Sequence, residues 1–149
     1  MRRISFIGCA AVLLAHPGAF TFNIGSPVAA QDFTAKSAAF VFRTEGCAEP
    51  AKAQISATAE GLLKGERRSV ALKVAAMSRP GVYAVFQTWP VEGAWLVNLK
   101  GACAGENAGA IVPVAPKGVV RESAKFFPRA ATSEEIDAAL KAMPQGSGK

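Results

Sequence analysis

The sequence predicts an all-β fold, an antiparallel sandwich closed by a short C-terminal α-helix. Three observations predict it. Apolar residues recur at every second position in several short runs, each run is bounded by glycine, proline or charged turn residues, and the spacing becomes helical only after residue 131. With 149 residues, 50% hydrophobic and 19% charged, the chain suffices for one domain and leaves no room for a large multidomain enzyme.

Residues 1–30 read as a secretory signal peptide. Arg2 and Arg3 make a basic start, 6–15 is apolar, and Val28-Ala29-Ala30 places small residues before Gln31, so cleavage is expected after Ala30. Cuts after Ala19 or Ala29 would each set a proline, Pro17 or Pro27, at the third position before the bond. A membrane anchor is the alternative, but the apolar run breaks at His16-Pro17-Gly18, short of the roughly 20 residues that a spanning helix needs. Ser5 stands where a twin-arginine signal wants an apolar residue, and Cys9 precedes the end of the apolar run that a lipoprotein cysteine would follow. Ordinary export to the periplasm or the medium is therefore expected.

Export changes the inventory. Arg2, Arg3, Cys9 and His16 leave with the signal, so 15 basic residues face 11 acidic ones and the net charge falls from +6 to +4. The exported chain keeps no histidine and two cysteines, Cys47 and Cys103. In an oxidising compartment an even pair without metal-ligand spacing reads as a disulfide ahead of two buried thiols.

The sandwich is assigned to 31–131. Phe40 and Phe42 alternate with Val41 and Arg43, and Val70, Leu72 and Val74 with Ala71, Lys73 and Ala75. Val82, Ala84 and Phe86 alternate with Tyr83, Val85 and Gln87, and Trp95, Val97 and Leu99 with Leu96, Asn98 and Lys100. The turns are placed at Gly65-Glu66, Arg79-Pro80-Gly81, 90–93 and 101–109. For 51–63, a helix opened by Pro50 competes with a strand; the strand is chosen because Lys64-Gly65-Glu66 then forms a hairpin into Val70. Residues 111–114 make a further strand, and Pro113 argues for an edge position. In 132–149, Thr132-Ser133-Glu134-Glu135 is a capping box followed by Ile136, Ala139, Leu140 and Met143 at helical spacing, then a frayed tail.

The missing histidine excludes Ser-His-Asp and Cys-His catalysis and imidazole-based zinc sites from the exported chain. A hydrolase would need Glu45, Glu49, Glu60, Glu92 and Glu106 to converge, and the expectation is no enzyme. Glu134, Glu135 and Asp137 answer a helix dipole and lack calcium-loop spacing, while Met77 and Met143 are too far apart to suggest copper. No metal or other cofactor is expected. Lys64, Arg67 and Arg68 look like a solvated hairpin tip, giving at most a weak attraction to an anionic envelope surface and no nucleic-acid site. Trp89, before Pro90, sits near a turn: partly exposed beside Tyr83 it would be a partner contact, and otherwise it covers one end of the core.

Gly46-Cys47, Ala59-Glu60-Gly61, Gly65-x-Arg67, Pro80-Gly81-x-Tyr83-x-Val85 and Trp89-Pro90-x-Glu92-Gly93-x-Trp95 resemble small exported bacterial domains of immunoglobulin-like or transthyretin-like sandwich type. The resemblance covers 33–114. It implies an immunoglobulin-like sandwich in which the Tyr83 and Trp95 strands form a hairpin, an accessory role outside the cytoplasm, and no catalytic residues. The functional expectation is a non-catalytic binding or accessory protein of the cell envelope with a protein or glycan partner. An envelope metal-handling protein using carboxylates and Met77 is the alternative.

Overall fold

Side chains that alternate in sequence must alternate between the two faces of a strand, so each run buries one face and presents the other. The computed structural model describes residues 18–25 and 36–144. Its strands are β1 (Thr21–Gly25), β2 (Phe40–Glu45), β3 (Gln54–Leu63), β4 (Glu66–Ala71), β5 (Val74–Ala76), β6 (Val82–Val85), β7 (Ala94–Cys103), β8 (Glu106–Ala115), β9 (Gly118–Val119) and β10 (Lys125–Phe127), followed by α1 (Ser133–Ala142). They form two antiparallel sheets, a smaller one in the order β1-β2-β6-β5 and a larger one in the order β10-β8-β7-β3-β4 with β9 beside β8. Arg2, Arg3, the apolar run 6–15, Ala30 and the tail 145–149 lie outside the described residues. Strand β1 falls inside the segment that the sequence assigns to the signal.

The core lies between the sheets. The smaller sheet and the residue before it contribute Phe20, Phe22, Ile24, Phe40, Phe42, Tyr83 and Val85, whereas β3 and β8 contribute Ala57, Ala59, Ala108 and Ala110 around Trp95, Val97 and Leu99 of β7. Bulky rings against small residues let the layers interdigitate. Phe42 is the hub, with its ring stacked on Tyr83 at 5.3 Å and edge-on to Phe22 at 5.4 Å. Cys47, just after β2, and Cys103, at the end of β7, form the expected disulfide and tie the two sheets together with a Cα–Cα distance of 5.8 Å.

Residues 51–63 are a strand from Gln54 onward, entered through a 3-10 turn at Pro50–Lys52. Both tight hairpins place two residues in the left-handed region, Lys64 and Gly65 (φ 53° and 77°) and Ala104 and Gly105 (φ 50° and 81°), the geometry that matches strand twist. Four expectations are corrected. The alternation from Val70 to Val74 is two strands, because the chain breaks at Leu72-Lys73 and passes from the larger sheet to the smaller. The turn expected over 101–109 shrinks to Ala104-Gly105, with β7 and β8 running unbroken to either side.

The Tyr83 and Trp95 strands are no hairpin, since β6 and β7 belong to opposite sheets. Pro113 is not on an edge strand: β8 pairs with β7 on one side and with β10 and β9 on the other. Its carbonyl accepts from Val120 N at 2.8 Å, so its missing N–H faces the gap between β10 and β9 and no β7 ladder bond is lost.

Helix α1 lies on the outer face of the larger sheet, with Ile136, Ala139 and Leu140 packed on Leu96 and Ile111. Thr132 and Glu135 form the reciprocal capping box. Arg129 donates to both Glu135 carboxylate oxygens at 2.8 and 2.9 Å, and Thr132 N donates at 2.8 Å. The Arg129 bonds first, then the Thr132 backbone, hold the Glu135 carboxyl down to about 2 from its usual 4.5. A depressed carboxylate pKa stabilises the fold fully above the unfolded value and loses that effect as pH falls to the folded one. The Tm difference between wild type and Glu135→Gln should therefore be flat above pH 4.5 and vanish as pH drops towards 2. High salt should also shrink it, because the pair is at the surface.

Candidate functional site

On β3 and β7 the residues that alternate with the core face outward, and the register sets Ser56 against Lys100, Thr58 against Asn98 and Glu60 against Leu96. Helix α1 covers the apolar part of this face, leaving a polar strip beside it. The chain leading into α1 crosses the sheet next to β8 because Gly109 has no side chain: a Cβ there would overlap the Arg129 carbonyl and crowd Ala130. Ala130 thus becomes one wall of a shallow cleft of about 390 Å³, with Gln54, Ser56, Lys100, Ala102 and Asn107 among its other lining residues. One ammonium, two carboxamides and a hydroxyl present both donors and acceptors to a polar partner.

Further along the strip, Glu60 is buried and accepts hydrogen bonds from Thr58 Oγ1 at 2.7 Å, Ser69 Oγ at 3.0 Å and Arg67 Nη2 at 3.3 Å. Arg67 also pairs with Asp137 and so joins the sheet to α1. A buried carboxylate is tolerated because these donors replace its water. Asn98 is on the same face between Glu60 and the cleft but is buried, 2% exposed, and its Oδ1 has no hydrogen-bond partner among the described residues.

Tyr83 and Trp89 are both buried in the core, so of the two places the sequence offered for Trp89 the structure shows the core one, and the exposure expected for a partner contact is not found. Tyr83 stacks on Phe42, donates to the Pro50 carbonyl at 3.4 Å and has its phenol pKa raised by burial. Trp89 turns inward because the loop joining β6 to β7 passes from one sheet to the other, and its indole fills the space between them. The carboxylates are engaged separately: Glu45 with Asn23 and Arg43, Glu49 with Lys52, and Glu60 as above. Glu92 and Glu106 are exposed, on a loop and at the start of β8. Met77 and Met143 pack in two different apolar clusters. At the basic tip, Arg67 and Arg68 are paired with Glu60, Asp137 and Glu66.

No family model matches the chain, and neither does any curated protein or solved structure. The site therefore rests on its geometry. Among the described residues no group of three His, Cys, Asp or Glu could hold a metal ion, and no helix is long and apolar enough to cross a membrane. The period-two pattern already set Asn98 and Lys100 opposite the core. Asn107 and Ala130 were hidden, the first inside an expected turn and the second because nothing local shows that its segment returns across the sheet.

Proposed function

We propose that the chain is an exported, disulfide-stabilised, non-catalytic binding or accessory domain of the cell envelope, and that it meets its partner through the polar strip of the larger sheet. The observation that carries the reading is the Cys47–Cys103 bond between the two sheets, because such bonds persist in oxidising compartments. The likeness of Gly46-Cys47 and Ala59-Glu60-Gly61 to small exported immunoglobulin-like or transthyretin-like sandwiches agrees with the same role, although the Tyr83–Trp95 hairpin that the likeness implied is not formed. Lys100, Asn107, Gln54 and Ser56 suit a hydrated protein or glycan surface, since they offer polar contacts without a large apolar patch.

The test is capture from envelope extract by the oxidised protein, wild type against the Lys100→Glu, Asn107→Ala double variant. The wild type should retain a partner that the variant retains at least about tenfold less, the effect of losing roughly 1.4 kcal/mol of contact, with an unchanged Tm. Equal retention by both removes this face from the reading, and two free thiols in the exported protein remove the export argument.

A further inference from the structure

We infer that residues 20–25 stay in the exported protein as its edge strand β1, so that the signal is cut no later than the Ala19–Phe20 bond. This inference rests on the export reading. Three independent features tie the segment to the domain. Phe20, Phe22 and Ile24 are each only 3% exposed and belong to the main core. All of β1 is paired with β2 in continuous register from Thr21↔Glu45 to Gly25↔Val41, and Asn23 Nδ2 donates to Glu45 Oε1 at 3.0 Å.

The third feature lies in the rest of the chain. A Cβ at Gly101 would come within 2.7 Å of the Phe22 ring and 3.1 Å of the Phe20 ring. Gly101, far from this segment in sequence, thus leaves the space that the Phe20 and Phe22 rings fill. A cut after Ala30 would empty that space, strip one side of β2 and expose the Phe42 ring that Phe22 covers.

Hydrolysis adds one water across the bond, leaving a carboxylate on the discarded signal and an ammonium on the retained chain. Ala19 supplies the small residue before the bond and follows the apolar run by four residues, and the packing of Phe20, Phe22 and Ile24 outweighs Pro17 at the third position before the bond, which counts against this cut in the sequence alone. The charge balance is indifferent to the choice, because 20–30 carries no charged residue.

The full precursor, expressed in a bacterial host with a periplasm, should yield an exported chain whose intact mass and N-terminal sequence begin at or before Phe20. A first residue beyond Phe20, Gln31 above all, overturns the inference while leaving export standing. An unprocessed chain confined to the cytoplasm overturns the export reading and the cut together. In a second arm, oxidised 20–149 should melt at least about 10 °C above oxidised 31–149, and equal melting overturns the inference. If 31–149 fails to fold, Phe22→Ala in 20–149 should lower Tm by a similar amount, and an unchanged Tm overturns the place of β1 in the core.

Discussion

Breaking the Cys47–Cys103 bond is expected to lower stability by about 4 kcal/mol, the chain-entropy value for a loop of this size. The bridge spans a sequence separation of 56, and five of the ten strands described, β3 to β7, lie inside the loop it closes. Without it the unfolded chain regains the freedom of that loop, and the folded chain loses its disulfide cross-link between the sheets. For a domain of about 130 residues this is a Tm fall of roughly 15 °C. Thermal melts with and without a phosphine reductant, and of the Cys47→Ala, Cys103→Ala variant, should agree on the size of the drop. A fall below about 5 °C would show that the sheets hold together without the bridge. Because the polar strip is built on β3 and β7 and on the crossing at Gly109, partner capture should survive reduction at temperatures well below the lowered Tm.

Local chemistry made part of this fold legible and tertiary contacts hid the rest. Trp95, Val97 and Leu99 are inward because a strand alternates, and the helix starts at Ser133 because Thr132 and Glu135 satisfy each other's backbone donors; both follow from a few neighbouring residues. Which sheet a strand joins does not. Val70 to Val74 alternates without interruption although the chain changes sheets at Leu72-Lys73, since each half is amphipathic by itself. Gly101 and Gly109 resemble turn residues, yet each is a strand residue whose missing side chain is occupied by something distant, the Phe20 and Phe22 rings in one case and the Arg129 backbone in the other. The site divides in the same way. Asn98 and Lys100 are visibly opposite the core, whereas the cleft exists only because the chain before α1 comes back over β8. Strand β1 was present as the alternation Phe20-Thr21-Phe22-Asn23-Ile24, and its closeness to the apolar run 6–15 drew it into the signal.

Phe42→Ala should cost about 4 kcal/mol, comparable to the loss of the disulfide, by a different mechanism. The side chain is 1% exposed and its ring meets Phe22, Phe40 and Tyr83, so truncation removes both transfer energy and aromatic contacts and leaves a cavity. Collapse into that cavity is resisted because β2 is held by ladders on both sides, to β1 and to β6. Urea unfolding should show a lower midpoint with an unchanged m-value, since the surface exposed on unfolding barely changes. Phe126→Ala on β10, at 47% exposure, is the contrast and should stay within about 0.5 kcal/mol. A loss at Phe42 below about 1.5 kcal/mol would mean that the neighbouring rings close the gap. Combining Phe42→Ala with Phe22→Ala sharpens the point. The two rings touch, so the double variant should lose less than the two single losses added together. That coupling can exist only in a chain that still carries β1.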